Sequence, residues 1–257
     1  MKIFRYEFQG EVKYGILEEE YLREIEGDIF GEFRPGKTKV RISEVKILPP
    51  TVPTKIVGVV FNFRAHAMEM GKKVPEEPLI FFKPPSSLVG HLEPIVIPKG
   101  VRRIDYEGEL AAVIKRKARK ISDEENVEDY ILGYTCMNDV TARDILEREG
   151  ERARAKGYDT FTPLGPCIVR EANYKRFKLK TFVNGKVRQS ASMTNMIFPV
   201  PFIIRFLSRI MTLYPGDVIA FGTPGGVGPL QPGDRVDVQI EGIGILSNPV
   251  IKEEEEK

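Results

Sequence analysis

The segment Arg103–Ile114, RIDYEGELAAVI, narrows the folds open to this chain more than any other. Side chains at i, i+2 and i+4 of a strand share a face, so an extended backbone lines up Asp105, Glu107 and Glu109 on one side. The residues that follow, Leu110 to Ile114, are apolar without alternation, the pattern of a strand covered on both faces. An edge strand can carry acids as a guard against aggregation. A strand that enters the core cannot do so freely, because buried carboxylates without partners are costly. The segment therefore asks for basic partners or for a hard divalent cation such as Mg²⁺ or Mn²⁺, which prefers carboxylate oxygens. A third acid for such a cation is available at Asp139 in MNDVTARD, where a strand gives way to a helix, although an acid there also reads as a helix N-cap.

The rest of the chain is read around that strand. Residues 1 to 52 contain short strands, KIFRYEF, VKYGILE and YLREIEG, and end in a proline cluster, so they form a small N-terminal unit. The second unit spans 53–252, and 253–257 is a solvated acidic tail. Lys55–Phe61 is an apolar run of strand length, followed by NFRAHAMEMG, a helical turn stopped by Gly71. A proline-rich, charged loop continues to about Pro85. Ser122 is a helix N-cap candidate, Thr141–Lys156 has helical composition, Asn184-Gly185 signals a hairpin, and MIFPVPFIIRFLSRIMTL contains one amphipathic helix after Pro201.

Composition removes several function classes. The 257 residues carry 39 basic and 37 acidic side chains, and a net charge of +2 calls for neither nucleic acid nor an anionic membrane. Without a leader or an apolar run of about 18 residues, the chain is expected to be soluble and cytoplasmic. Cys136 and Cys167 lie far apart and suit buried small hydrophobes better than a disulfide or zinc site.

Of the two histidines, His66 has Glu69 three residues on, which a helical turn places on the same face. A carboxylate at one ring nitrogen raises the basicity of the other, as a base that takes a proton from water requires; a surface ion pair would leave the same spacing. His91, in VGHLEP, has no such neighbour and reads as structural.

Taken in order, FNFRAHAMEMG, FFKPPSS, DYEGELA, NDVTARD, KGYDTFTPLGP, VNGKVRQ, MIF and PGDVIAFGTPGGVGP resemble the fumarylacetoacetate hydrolase family from about Lys55 to Pro249. The resemblance implies an α+β, β-rich fold, a roll of mixed sheets in a sandwich with a few helices, assembled as a homodimer. It also implies Glu107, Glu109 and Asp139 as metal ligands, with Mg²⁺ or Mn²⁺ as the ion and Ca²⁺ a possible substitute. Asp105 then stands behind them, orienting the loop or a metal-bound water. His66 and Glu69 match a water-activating dyad on a segment that orders with ligand, and Lys156 matches a lysine that meets the substrate's carboxylate or oxo oxygen. Asp159 and Thr223 match substrate-contacting positions, whereas Leu146 stands where relatives often carry glutamine.

In such an enzyme a small 2-oxo or diketo acid chelates the ion, which stabilises the enolate formed when a bond at C3 breaks. Hydrolysis of an acylpyruvate-like substrate or decarboxylation of an oxaloacetate-like one is expected ahead of isomerisation of 2-hydroxyhepta-2,4-diene-1,7-dioate. A catalytically idle, carboxylate-binding dimer is the reading from another class.

Overall fold

The computed structural model describes residues 1–254, so most of the acidic tail, residues 255–257, lies outside the described residues. Strands dominate, and the helices are short: α1 (Arg64–Glu69), α2 (Arg143–Glu149), α3 (Arg152–Lys156) and α4 (Val200–Ile210). Among the described residues no helix is long and apolar enough to cross a membrane.

The larger sheet has 12 strands. Its path runs Phe33–Arg41, Tyr21–Gly27, Glu11–Glu18, Lys2–Phe8, Thr162–Val169, Ile131–Asn138, Gly108–Ile114, Val218–Ala220, Ile56–Val60 and Leu79–Lys83. The first four are the N-terminal strands, joined to the rest where Ile3 pairs with Ile168. Gly108–Ile114 lies inside this sheet with every residue buried, as its unbroken apolar run requires. A five-stranded sheet, Lys186–Ser192, Lys178–Val183, Arg235–Ile240, Gly244–Lys252 and Ile95–Ile97, and a three-stranded one complete the strand layers.

Local signals place several elements closely. Asn184 and Gly185, both at positive φ, turn the hairpin Lys178–Val183 to Lys186–Ser192. Gly71, at φ 63°, ends the turn of α1, and α4 starts one residue before Pro201. Cys136 and Cys167 are free and buried.

Other expectations are corrected. Thr141–Lys156 is not one helix: Thr141–Ala142 is a strand, and Gly150, at φ 72°, adopts the left-handed conformation that ends α2 before α3 begins. Ser122 caps no α-helix; Asn126 caps a short 3₁₀ turn, Val127–Tyr130, instead. Phe33–Arg41 is a further N-terminal strand beyond the three read from the sequence, and its proline is tolerated because the strand lies at the end of the sheet and pairs only with Tyr21–Gly27.

The acidic strand also departs from the simple alternation. It breaks at Glu107, so that Ile104–Tyr106 joins the three-stranded sheet and Gly108–Ile114 the large one. Asp105 therefore belongs to a different sheet from Glu109, and the three acids do not line one continuous strand face.

Candidate active site

Glu107 sits at the junction of the two sheets and is fixed from both sides. Its N–H donates to Asn138 Oδ1 at 2.9 Å, and its carbonyl accepts from the Asp139 N–H at 2.8 Å. The two contacts draw the end of strand Ile131–Asn138 against the acidic strand. Carboxylate oxygens of Glu107, Glu109 and Asp139 then all lie within 4.8 Å of one another, and all three residues are buried.

The two solutions that buried acids demand, basic partners or a cation, divide among them. Lys156, at the end of α3, donates Nζ to Glu107 Oε2 at 3.0 Å, to Thr141 Oγ1 at 2.8 Å and to Asp139 Oδ2. Lys83, at the end of strand Leu79–Lys83, donates to Asp139 Oδ1 at 2.7 Å. Arg143, the first residue of α2, gives Nη2 to Glu107 Oε1 at 2.5 Å and Nε to Asp105 Oδ2 at 2.9 Å. Burial alone would raise the Glu107 carboxyl, but the Lys156 ammonium and Arg143 guanidinium hold it down, to about 2.

Glu109 has no basic side chain bonded to it among the described residues, and the Lys156 ammonium only partly offsets its burial. Its carboxylate takes one hydrogen bond among the described residues, from the Gly222 N–H at 2.8 Å. Burial and then the neighbouring Asp139 push its carboxyl well above the usual range. Three hard oxygen donors, one of them without a basic partner, fit Mg²⁺, Mn²⁺ or Ca²⁺ and suit a soft metal poorly.

The acids form part of the wall of a cavity of about 450 Å³, together with His66, Lys156 and Thr223. The Lys156 ammonium also lies 4.6 Å from the centre of the Phe81 ring, a cation–π contact inside the cavity wall. Thr223 is oriented by Gln189, whose Nε2 donates to its hydroxyl at 2.8 Å. The same amide's Oε1 accepts from the Gly108 N–H at 3.0 Å.

His66, on α1, is buried and faces the cavity. Its Nδ1 is 3.7 Å from Glu69 Oε2, beyond hydrogen-bond reach, and has no hydrogen-bond partner among the described residues. Glu69 instead accepts from the Gly226 N–H at 2.9 Å and so ties α1 to the glycine-rich loop. Burial lowers the His66 imidazole below its ordinary value, against the opposing pull of Glu107 and Glu69, which favours the neutral ring.

Two residues stand apart from the expected set. Asp159 is exposed in the turn after α3 and does not line the cavity, whereas Lys156, three residues earlier at the end of α3, does. Asp105 is buried against Arg103 and Arg143 and reaches Glu107 only through the Arg143 guanidinium. Lys83, Arg143 and Gln189 are the residues that sequence reasoning passed over. A lysine closing the apolar run LIFFK was the available signal for Lys83, since a charge at the end of a core strand needs a partner.

The model described as fumarylacetoacetate (FAA) hydrolase C-terminal matches residues 55–251, and one described as Rv2993c-like, N-terminal, matches residues 1–50. Oxaloacetate tautomerase YisK of Bacillus subtilis is 41% identical over 84% of this chain and 76% of its own length. The 4-hydroxyphenylacetate degradation bifunctional isomerase/decarboxylase of Escherichia coli is 42% identical over 81% of this chain and 50% of its own. Among solved structures, 2-hydroxyhepta-2,4-diene-1,7-dioate isomerase from Mycobacterium marinum superposes with a TM-score of 0.91 at 38% identity, covering 99% of this chain and all (100%) of that one. Maleylpyruvate hydrolase from Sphingobium sp. SYK-6, in complex with manganese(II) and pyruvate, reaches 0.82 at 26% identity, over 99% of this chain and 100% of its own. With its acid cluster, its roll of sheets and a family match over most of its length, the chain belongs to the fumarylacetoacetate hydrolase family.

Proposed function

We propose that this protein is a divalent-metal-dependent enzyme acting at C3 of small 2-oxo acids. The observation that carries the reading is Glu109, a buried carboxylate without a basic partner, held beside Glu107 and Asp139 at the wall of a cavity. Glu107, Glu109 and Asp139 would hold Mg²⁺ or Mn²⁺, and the ion would supply a Lewis acid for the carboxylate and oxo oxygens of the substrate.

The chain's own groups supply the rest. Lys156, at the wall beside the acids, is the cation available to the carboxylate end, and Thr223, whose hydroxyl donates to the Gly108 carbonyl, lines the same wall. Buried His66, neutral near pH 7, offers a base for a proton at C3 or on a water. Proton transfer at C3 alone is tautomerisation or isomerisation. Loss of carbon dioxide, or attack of water on a distal carbonyl, extends the same chemistry to decarboxylation or hydrolysis. Leu146 lines the cavity and offers no hydrogen bond to a distal carbonyl, which favours the proton-transfer and decarboxylation branches over acylpyruvate hydrolysis.

The test is Glu107→Gln. Calorimetry should show loss of Mn²⁺ binding, with the circular dichroism spectrum unchanged, and loss of enol absorbance from oxaloacetate should stop. Full turnover in this variant, or in chelated wild type, would sink the reading.

A further inference from the structure

What keeps Glu69 off His66 lies outside α1. Glu69 accepts the Gly226 N–H at 2.9 Å through Oε2 and at 3.2 Å through Oε1, so both oxygens of its carboxylate lean on one donor. His66 Nδ1, 3.7 Å from Oε2, has no hydrogen-bond partner among the described residues although the residue is buried. The loop lies against α1 at its neighbouring residue too: a Cβ at Gly225 would stand 3.2 Å from Glu69 Oε2 and 3.8 Å from Ala65 Cβ.

Gly226 is in turn fixed from the strand that leads into Glu107. Its carbonyl accepts the Tyr106 hydroxyl at 2.8 Å, and Tyr106 pairs with Gly228 in the three-stranded sheet. With φ at 94°, and with a Cβ position only 2.2 Å from the Arg188 carbonyl oxygen, residue 226 can only be glycine. The tie matters because α1 cannot hold itself. Its six residues, Arg64–Glu69, are too few for a helix to persist alone, and no side chain caps its first turn. The start of α1 is anchored where Phe63 bridges to Met196; Glu69 anchors its end.

We infer that Tyr106 is a positioning residue for His66: its hydroxyl sets the Gly226 peptide, which captures Glu69 and thereby fixes α1 and the imidazole it carries relative to Glu107. The bearing on catalysis rests on the function proposed above, in which His66 is the base; the positioning itself needs no turnover.

The test is made in His91→Gln protein, where His66 is the only histidine left. Carbethoxylation of its ring by diethyl pyrocarbonate, above the ordinary pKa of histidine so that the ring stays neutral, reports how often α1 opens. Tyr106→Phe removes only a hydroxyl, and Glu69→Ala removes the carboxylate while leaving a good helix former. Glu69→Ala should raise the rate about fivefold, the equilibrium weight of one hydrogen bond, and Tyr106→Phe should give part of that rise. Together they should be no faster than Glu69→Ala alone, because the two bonds act in series through Gly226. Tyr106→Phe at the wild-type rate, or rates that multiply in the double variant, overturns the inference. Amide hydrogen exchange separates a local effect from a general one: acceleration confined to α1 and the glycine-rich loop upholds it, and acceleration spread over the sheets overturns it. Oxaloacetate turnover is measured alongside, and series behaviour in a protein that does not turn it over upholds the positioning while refuting the enzymatic reading.

Discussion

The side-chain amide of Gln189 donates to the Thr223 hydroxyl at 2.8 Å, and that hydroxyl donates on to the Gly108 carbonyl at 2.9 Å. Gly108 lies between Glu107 and Glu109, so one amide from a hairpin holds both the acidic strand and the loop opposite it. Replacing Gln189 with Leu leaves the Gly108 N–H without its acceptor and takes a donor from the Pro224 carbonyl, while the Thr223 hydroxyl keeps its bond to the Gly108 carbonyl. About 1–3 kcal/mol of stability should be lost, as for a buried donor left without its partner. Mn²⁺ affinity should fall as the acids loosen. Urea denaturation and calorimetry check the two effects, and a variant with wild-type values in both would remove Gln189 from the support of the site.

Gly108 itself is required by space. A Cβ there would lie 2.2 Å from Thr181 Oγ1, which is buried and has no hydrogen-bond partner among the described residues. Gly108→Ala should destabilise by about 1–3 kcal/mol, the usual cost of overpacking. Adding Thr181→Ala removes the clashing atom and should recover most of that loss, a coupling that a double-mutant cycle measures directly. Additive effects would place the cause in the backbone rather than in the clash.

How far the site was legible follows from the range of the interactions involved. The acids were visible because Glu107 and Glu109 are close in sequence and run into an apolar segment that had to be buried. The turn of α1, the hairpin at Asn184-Gly185 and α4 were visible for the same local reason. Lys83 and Arg143 were not, because their partners lie 56 and 36 residues away and only the sheet topology brings them together. The break at Glu107 also escaped notice: it depends on Asn138 and Asp139 bonding to the Glu107 backbone, and no alternation of residue types records that. The separation of His66 from Glu69 is similar, since Gly226, 157 residues beyond Glu69, decides where that carboxylate goes.

Lys156 neutralises two buried acids at once, so its loss should be felt before any chemistry. Lys156→Met leaves Glu107 and Asp139 short of a cation and should cost about 3–5 kcal/mol in metal-free protein. Mn²⁺ would supply the missing charge, and its stabilising shift in Tm should be larger in the variant than in wild type. Thermal unfolding with and without Mn²⁺ tests this. An equal shift in both proteins would show that the ion and the lysine do not act on the same carboxylates.

His91 gives a pH dependence away from the acids. Its Nδ1 accepts from the Ser247 N–H at 3.1 Å, which only the neutral ring can do. Burial first, then nearby Arg235, lowers its pKa below 6.5, with Asp237 opposing. The unfolded chain therefore takes up this proton before the folded one does. The stabilising contribution is complete above about pH 6.5 and is lost as the pH falls from there towards the folded value. In His91→Gln the amide oxygen can accept the same N–H but does not titrate, so the stability gap between wild type and variant should shift against wild type between pH 8 and pH 5.5. Urea midpoints across that range measure it. Parallel curves would mean that the ring takes up its proton equally in both states, and the Ser247 contact would then have no bearing on acid stability.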